Sequence, residues 1–447
     1  MYRTVLPDLV AWKDDSKRKP LLLLGARQVG KTWLLKELGR QEFERTVYVG
    51  LDESASARAS FEMDLDTNRI LADLALLDGG GPIQAANTLI ILDEIQECPR
   101  ALTSLKYFAE NNPSYHVAAA GSLLGVAAHQ GTSFPVGKVH TITVHPLTFC
   151  EFLRALGRDG LADLLRDGEF DRLAPFHDEL MATLRRYFFI GGMPEAVVAF
   201  QSGFDYNAAR DVHRDLLAAY DRDFSKHAPV AEIPRLRAIF DSIPSQLARE
   251  NRRFVYGQAQ PGARSKSLEL ALEWLLDASL VHRVRRVQTP RLPLAAYVDE
   301  KAFKLFLFDT GLVSTMSGLD PQVILEGDAL FTEYKGALTE QYVLQSLVAA
   351  GITPYYWTNA TGAAEVDFII GSRTVTPLEV KAAANTQAKS LRVYRDVYNP
   401  SLSLRASSRP YKDEGWLVNV PLYAVEQIPK LVEQRKPVRN ATDPNQN

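Results

Sequence analysis

Short apolar runs alternate with amphipathic stretches through the first third of the chain. Residues 89–92, Leu-Ile-Ile-Leu, are apolar without alternation, which is typical of a strand buried on both faces. Residues 31–38 and 101–110 carry apolar side chains at helical spacing. Strands that alternate with helices predict an α/β fold with a parallel sheet between helices. The predicted strands are residues 20–24, 46–51, 88–92, 115–120 and 138–144.

The pattern changes beyond this first third. Residues 147–200 have the periodicity of helices with arginine-rich polar faces, interrupted at Gly191-Gly192-Met193-Pro194. Helices then give way to β-rich segments between residues 205 and 310. The segments predicted there are helices at 233–247 and 265–276 and strands at 280–287 and 304–308.

The last third of the chain is predicted to be another α/β region. A helix at 336–350 precedes strands and a polar end, and we expect residues 431–447 to be a flexible tail. The chain has 447 residues, and at roughly 150 residues per domain this length predicts about three domains. The strands predicted in this region lie near 355–357, 366–370, 375–381 and 415–420.

Composition excludes several classes of protein. The chain is 46% hydrophobic and 23% charged, so bulk disorder is excluded, and its formal net charge of −3 does not by itself indicate a nucleic-acid partner. Two cysteines, Cys98 and Cys150, cannot form a disulfide framework or a four-ligand zinc site. The longest leucine run, residues 21–24, is far shorter than the ~20 residues of a membrane helix. With no signal-peptide pattern, these features predict a cytoplasmic protein with no membrane partner.

Eight consecutive residues match the phosphate-loop pattern G-x-x-x-x-G-K-[ST] at every fixed position, between a predicted strand and a predicted helix. We expect the backbone N–H groups of this loop to bind the phosphates of ATP at the positive end of the helix. Lys31 is the expected β/γ-phosphate ligand, and the Thr32 hydroxyl is the expected ligand of Mg²⁺. The eight residues are Gly25-Ala26-Arg27-Gln28-Val29-Gly30-Lys31-Thr32.

A buried strand that ends in Asp93-Glu94 supplies the carboxylates that such a loop requires. The carboxyl ends of parallel strands share one edge of the sheet, where ligands bind in open α/β folds. We assign Asp93 to Mg²⁺ and Glu94 to activation of the attacking water, which predicts ATP hydrolysis. Ser122 follows the next strand, and two roles remain open for it: a contact to water or the γ-phosphate, or a helix cap.

A second candidate site lies in the C-terminal region. A hairpin centred near Arg373 would place Asp367 opposite Glu379, and period-two geometry would put Glu365 and Lys381 on the same face. Such a cluster predicts metal-dependent phosphodiester hydrolysis, in which the carboxylates hold the metal and the lysine activates water. Glu340 lies on the apolar stripe of the preceding helix, where a carboxylate is costly unless it is paired or bound to a metal, and we assign it as a further metal ligand. The alternative is a solvated sheet face with a chance pattern of acids.

The middle of the chain is basic. Residues 232–291 contain eleven Lys or Arg and six Asp or Glu, and their order of helices followed by a basic hairpin resembles a winged helix-turn-helix. Two uses remain open: contact with the phosphates of DNA, or a joint between domains or proteins. The basic positions are Arg249, Arg252, Arg253, Arg264, Lys266, Arg283, Arg285 and Arg286.

The order of these motifs resembles the AAA+-like P-loop ATPases of bacteria and archaea, whose C-terminal half is a domain of unknown function with a restriction-endonuclease-like, PD-(D/E)xK core. The resemblance covers roughly residues 5 to 430. Besides the phosphate loop, it is carried by Leu92-Asp93-Glu94-Ile95-Gln96, Pro146-Leu147-Thr148-Phe149-Cys150-Glu151-Phe152, Gly191-Gly192-Met193-Pro194, Leu307-Phe308-Asp309-Thr310-Gly311-Leu312 and Glu365-Val366-Asp367-Phe368.

This resemblance implies a division of the chain. The implied segments are an ATPase core (1–146), a helical lid (147–204), a winged helix-turn-helix region (205–325), a nuclease-like α/β domain (326–430) and the tail (431–447). It also implies nucleotide and metal roles for Lys31, Thr32, Asp93 and Glu94. The nuclease pattern falls on Glu340, Asp367, Glu379 and Lys381.

The chain departs from the family pattern at Gly137-Lys138, where relatives commonly carry Gly-Arg. If that arginine senses nucleotide in relatives, Lys138 cannot act in the same way, because a lysine lacks the planar guanidinium that binds a phosphate through two N–H groups. Arg27, Arg185 and Arg186 are the candidate arginine fingers. Three functional hypotheses remain at this point: an ATPase coupled to DNA, a nucleotide-controlled switch with a partner protein or a second copy, and a C-terminal domain that only recognises its ligand.

Overall fold

The computed structural model describes residues 1–122, 135, 137–249, 253–321, 332–382 and 388–434. The chain separates into two compact units, each described here by itself. Unit 1 comprises Met1–Pro146 with Leu272–Leu280, and unit 2 comprises Leu147–Ala271 with Val281–Asn447. Arg252 and residues 435–447 of the predicted tail lie outside the described residues.

Unit 1 contains a five-stranded sheet in which every pair of neighbouring strands is parallel. The order across the sheet is β2-β3-β4-β1-β5. This confirms the predicted parallel sheet, including β3, whose six residues are all buried as its uninterrupted apolar sequence predicts. The strands are β1 (Leu21–Leu24), β2 (Arg45–Gly50), β3 (Thr88–Asp93), β4 (His116–Ala120) and β5 (His140–Thr143).

Helices cover this sheet, and local chemistry sets where they begin. Ser54 accepts a hydrogen bond from the Ala57 N–H at 3.1 Å, and Asp66 accepts one from the Asn68 N–H at 2.9 Å, so each caps the helix that follows. Buried side chains of three helices pack with Leu22, Val47 and Ile90 of the sheet in one apolar cluster. The helices of unit 1 are Leu6–Asp14, Lys31–Glu42, Ala55–Met63, Thr67–Asp78 and Pro99–Asn111.

Unit 2 is mainly helical up to β6. The predicted helices at 233–247 and 265–276 are confirmed. The second helix ends at Asp277, and its residues from Leu272 onward are grouped with unit 1. The helices are Phe149–Ala155, Asp159–Asp167, Phe170–Leu173, His177–Ile190, Pro194–Gln201, Tyr206–His227, Ile233–Leu247, Tyr256–Ala259, Ser265–Asp277, Thr310–Met316, Thr332–Ala349, Lys389–Tyr398 and Ile428–Gln434.

The sheet of unit 2 has eight strands in the order β12-β13-β11-β10-β9-β8-β6-β7. One residue pair, Arg286 with Tyr356, joins the hairpin β6–β7 to the remaining strands. The last helix ends at Gln434, four residues inside the predicted tail. The strands are β6 (Val281–Val287), β7 (Val298–Leu307), β8 (Tyr355–Thr358), β9 (Glu365–Gly371), β10 (Val375–Lys381), β11 (Ser403–Ser407), β12 (Lys412–Asp413) and β13 (Leu417–Pro421).

Two motifs that are distant in sequence meet inside unit 2. The buried Asp309 carboxylate accepts hydrogen bonds from the Gly192 N–H at 2.7 Å and the Leu312 N–H at 3.1 Å, and so caps the helix Thr310–Met316. Gly191 has φ +67°, and a Cβ there would collide with an Asp309 carboxylate oxygen. The Gly191–Pro194 and Leu307–Leu312 motifs therefore pack together as a structural joint of unit 2.

A glutamine on a neighbouring helix extends this joint. Gln345 accepts a hydrogen bond from the Thr310 N–H at 2.9 Å and donates one to the Tyr187 hydroxyl at 3.0 Å. The Tyr187 hydroxyl in turn donates to the Leu147 carbonyl. Because these groups are buried, each would be costly without its partner. The network thus fixes the helix Thr332–Ala349, which carries Glu340, against the centre of unit 2.

Candidate functional sites

The phosphate loop of unit 1 connects β1 to the helix Lys31–Glu42. Gly25, Gln28 and Gly30 have φ values of +133°, +66° and +96°, so the loop turns through backbone conformations that side chains disfavour. A Cβ on Gly25 would overlap the carbonyl oxygen of Val144, beside the end of β5. The loop conformation therefore depends on glycine at this position.

Lys31 is the first residue of this helix and is only 7% exposed. Its ammonium donates hydrogen bonds to the carbonyl oxygens of Gly25 at 2.9 Å and Ala26 at 2.7 Å. Burial lowers the pKa of Lys31 to about 8, although the charges of Glu94 and Asp93 act in the opposite direction. A buried ammonium held by neutral carbonyls is stabilised by an anion, so this site fits a phosphate group.

The start of the same helix offers further donors. Gly30 precedes the helix and supplies no side-chain cap, and the first backbone bond into the helix is from the Leu34 N–H to the Gly30 carbonyl at 3.0 Å. The N–H groups of Lys31, Thr32 and Trp33 thus have no acceptor within the helix. Uncapped N–H groups at the positive end of a helix fit an anionic ligand.

Asp93 ends β3 at the carboxyl edge of the sheet, beside Gly50 of β2. Its buried carboxylate accepts hydrogen bonds from the Tyr48 hydroxyl at 2.9 Å and the Glu94 N–H at 3.1 Å. Burial and the Asp93 charge raise the pKa of Tyr48, so the phenol remains a donor at neutral pH. The sequence analysis missed Tyr48, although its place two residues before the end of β2 is the available signal.

Glu94 adopts a left-handed conformation with φ +48°, which is uncommon for a residue other than glycine. Its carboxylate accepts a hydrogen bond from the Gln96 side chain at 2.5 Å. Such strain concentrates at functional sites, because the surrounding structure must hold it in place. The backbone turn directs Glu94 out of the strand at the edge that carries the phosphate loop.

Ser122 and Lys138 lie at opposite edges of this sheet. The buried Ser122 follows β4, which lies between β1 and β3, so it shares the edge of the loop and Asp93. The residues that Ser122 would cap begin at 123, outside the described residues. Lys138 precedes β5 at the amino edge and forms an ion pair with Glu110 at 2.9 Å. Lys138 therefore lies away from the nucleotide edge.

The candidate arginine fingers occupy different units. Arg27 is exposed in the phosphate loop of unit 1, whereas Arg185 and Arg186 lie in the helix His177–Ile190 of unit 2. Nothing in the geometry of either unit selects one of them.

In unit 2, β9 and β10 form the hairpin that the sequence predicts. The paired register ends with Leu378 opposite Phe368, directly before Glu379 and directly after Asp367. Asp367 accepts a hydrogen bond from the Val380 N–H at 2.7 Å. Glu379 forms an ion pair with Lys381 at 2.7 Å, and within the described structure its second carboxylate oxygen is buried without a hydrogen-bond partner. Burial raises the pKa of Glu379, and Lys381 opposes this shift.

Glu340 has a different environment from the one predicted. It is fully buried and forms an ion pair with the equally buried Lys304 of β7 at 2.9 Å. The same ammonium pairs with Glu365 at 2.6 Å and lies 5.1 Å from the centre of the Tyr356 ring. The sequence analysis missed Lys304, although a lysine within the apolar run of residues 302–308 is itself a signal of a buried partner.

The predicted acid cluster is therefore divided between two lysines. Lys304 pairs with Glu340 and Glu365, whereas Lys381 pairs with Glu379. Across the described residues, no three His, Cys, Asp or Glu side chains are grouped closely enough to hold a metal ion. Glu340 and Glu379 thus each already have a lysine ammonium beside the carboxylate.

The parallel sheet, the phosphate loop and the Asp93-Glu94 pair together define a P-loop nucleotide-binding domain. Residues 17–153 match the family model described as an AAA domain, so this part of the chain is an AAA-type ATPase domain. Two further family models match the rest of the chain, and both are described as domains of unknown function. They are DUF8612 at residues 181–323 and DUF4143 at residues 335–424.

Solved structures give looser similarities. The Walker-type ATPase PABY2304 of Pyrococcus abyssi is 14% identical, with a TM-score of 0.44, over 70% of this chain and 94% of that one. Cdc6p from Pyrobaculum aerophilum is 13% identical, with a TM-score of 0.25, over 72% and 93% of the two chains. No curated protein matches the sequence. Within the described residues, no helix is both long and apolar enough to cross a membrane.

Proposed function

We propose that the chain is a Mg²⁺-dependent ATP hydrolase whose nucleotide cycle acts on a DNA-facing, nuclease-like second unit. The observation that carries the proposal is the buried Lys31 ammonium, which donates to two loop carbonyls beside uncapped N–H groups. Phosphate oxygens of ATP would replace these carbonyls as acceptors for Lys31. The AAA-type domain assigned to residues 17–153 supports the same reading.

Within this proposal the residues of unit 1 have separate roles. Lys31 and the first N–H groups of its helix bind the β- and γ-phosphates. Thr32 and Asp93 would hold Mg²⁺, which neutralises phosphate charge when it is bound. Glu94 accepts a proton from the attacking water, with Gln96 fixing its carboxylate, and Ser122 orients the water or the γ-phosphate. Tyr48 holds the Asp93 carboxylate in place.

Three features of unit 2 support a DNA-facing, nuclease-like role. The helices Ile233–Leu247 and Ser265–Asp277 followed by the hairpin β6–β7 have the order of a winged helix-turn-helix. The helix Thr332–Ala349 precedes strands β8 to β10, in the order that the sequence predicts for the nuclease-like region, and Asp367 and Glu379 lie on β9 and β10. Asp367 and Glu379 would hold the metal, and Lys381 would orient water.

A second function is favoured by Lys304. Its ion pairs with Glu340 and Glu365 balance those charges without a metal, so the C-terminal domain would be an inactive recognition module. ATP would then control a switch between two states, with a partner protein or a second copy of the chain as its target. ATP hydrolysis would in that case be slow.

Isothermal titration with Mg²⁺ and a non-hydrolysable ATP analogue tests the ATP site. Lys31→Ala should abolish measurable binding, whereas Lys106→Ala, in another helix of unit 1, should bind as the parent protein does. Equal binding by Lys31→Ala and the parent protein would overturn the ATP-site assignment.

Incubation with DNA or RNA and Mg²⁺ or Mn²⁺ separates the two functions of unit 2. Cleavage by the parent protein that is lost in Asp367→Asn supports the nuclease. If the two proteins leave the substrates equally intact, the inactive-module function is the correct one.

A further inference from the structure

An open cleft of about 840 Å³ lies in unit 2, apart from both candidate sites. Its wall is formed by the residues after the helix Ile233–Leu247, by the segment 253–258, by the start of the helix Ser265–Asp277 and by residues of β7. Four basic side chains from these segments, all exposed, line the cleft. They are Arg249, Arg253, Arg264 and Lys301.

The two acids that line the cleft are already engaged. Glu269 accepts a hydrogen bond from the Tyr256 hydroxyl at 2.9 Å and pairs with Arg283 at 3.5 Å. Glu300 pairs with Arg285 at 3.2 Å. By contrast, Arg249, Arg264 and Lys301 form no ion pair within the part of the chain that the structure describes. The cleft therefore presents uncompensated positive charge.

The arginines of β6, which the sequence analysis placed on the DNA-facing hairpin, differ from these cleft residues. Arg283 and Arg285 pair with the two acids of the cleft, and Arg286 pairs with Asp299 across the hairpin. An arginine that already has a carboxylate gains less from a phosphate, because the existing ion pair must first be broken. Arg249, Arg264 and Lys301 of the cleft can therefore meet a polyanion without first breaking an ion pair to a described residue.

The aromatic residues of the cleft do not offer a surface for bases. Phe254 and Phe303 are stacked with ring centres 5.4 Å apart, and each is at most 5% exposed. Tyr256 meets both rings edge-on and uses its hydroxyl on Glu269. The packed rings form a well-ordered wall of the cleft next to the basic side chains. The buried Phe254 and Phe303 therefore offer no open ring face on which a base could stack.

We propose that this cleft binds the phosphate backbone of nucleic acid without reading its sequence, a proposal that rests on the DNA-facing function of unit 2. A small phosphate ligand is usually enclosed by a few fixed, buried polar groups. The available cations here are instead exposed, long and spread over several chain segments, which suits successive phosphates of a strand.

Fluorescence anisotropy with labelled duplex DNA, single-stranded DNA and RNA tests the proposal on the full chain. The cleft variant combines Arg249→Gln, Arg264→Gln and Lys301→Gln. The control combines Arg172→Gln, Arg392→Gln and Lys389→Gln, which removes the same charges from exposed positions of unit 2 outside the cleft. Both variants should retain the basal ATP turnover of the parent protein.

Each phosphate contact contributes about 0.9 to the slope of log K against log salt concentration for duplex DNA. Loss of three contacts should therefore reduce the magnitude of this slope by about 2.7. Raising KCl from about 50 to 200 mM should then weaken DNA binding by the cleft variant roughly 40-fold less than it weakens binding by the parent protein. The control should keep the parent slope. An equal change in the control, or an unchanged slope in the cleft variant, would overturn the assignment of the cleft while leaving DNA binding by unit 2 intact. No binding by the parent protein would overturn both, and ATP turnover would still report separately on unit 1.

Discussion

Lys304→Met should destabilise unit 2 strongly, because it removes the buried ammonium that pairs with the Glu340 carboxylate. Both side chains of this pair are fully buried, whereas Glu365 keeps 30% of its side chain exposed and can be solvated. Removing one partner of a buried ion pair typically costs about 3–5 kcal/mol, since the remaining charge is left in a poor solvent. Most of the cost should therefore come from Glu340.

Hydrogen exchange measured by mass spectrometry is the suitable assay, because a protein of two units need not unfold in one step. The expected cost corresponds to roughly 150- to 5,000-fold faster exchange in β7 and the helix Thr332–Ala349, provided that exchange follows the opening equilibrium. Exchange in unit 1 should not change. The measurement shows which elements are destabilised and by how much.

Two further variants make the reasoning refutable. Lys301→Met changes an exposed lysine on the same strand and should stay within about 0.5 kcal/mol of the parent protein. Lys304→Met combined with Glu340→Met should recover most of the lost protection, because the unpaired buried charge is removed as well. If Lys304→Met exchanged like the parent protein, or if the double variant were no better than the single one, the buried ion pair would not be the source of stability.

Other predictions follow from single contacts. Lys138→Arg should leave ATP affinity unchanged in isothermal titration, because Lys138 pairs with Glu110 at the amino edge of the sheet; a severalfold change would contradict that placement. Gly191→Ala should prevent stable folding of unit 2, seen as loss of its thermal transition, because a Cβ there would collide with Asp309; a parent-like transition would refute this reasoning. Burial raises the pKa of Asp309 to about 6, against roughly 3.9 in an unfolded chain. The folded state therefore binds the Asp309 proton more tightly than the unfolded state does. Unit 2 should consequently gain stability as the pH falls from 7 towards 4. Asp309→Asn should lack this contribution in calorimetry at a series of pH values, and an identical pH profile in both proteins would show that Asp309 is not its source.

The parts of the fold that local sequence determines were predicted well. The buried run of β3 needs no partner to be recognised as a strand, and the five predicted strands of unit 1 all form. The hairpin around Arg373 also forms, and its register pairs Leu378 with Phe368 beside Glu379 and Asp367. Such features depend on residues that are close in sequence.

The features that were missed depend on contacts between distant residues. Lys304 and Glu340 are 36 positions apart, and their pairing requires that β7 and a later helix pack together. The arginines of β6 looked available for DNA because their partners, such as Glu269 and Glu300, come from other elements. Tyr48 reaches Asp93 only through the parallel pairing of β2 with β3. A pattern such as the apolar run around Lys304 can indicate that a residue needs a partner, but it does not identify that partner.

ATP turnover by Glu94→Gln tests the central claim most directly. The substitution keeps the size of the side chain, so ATP binding in the presence of Mg²⁺ should remain close to that of the parent protein. Loss of a general base typically costs about 10²- to 10⁴-fold in rate, and single-turnover hydrolysis should slow by that amount. Tight binding with stalled hydrolysis would support an ATPase that uses Glu94 as its base. Hydrolysis at the parent rate would contradict it.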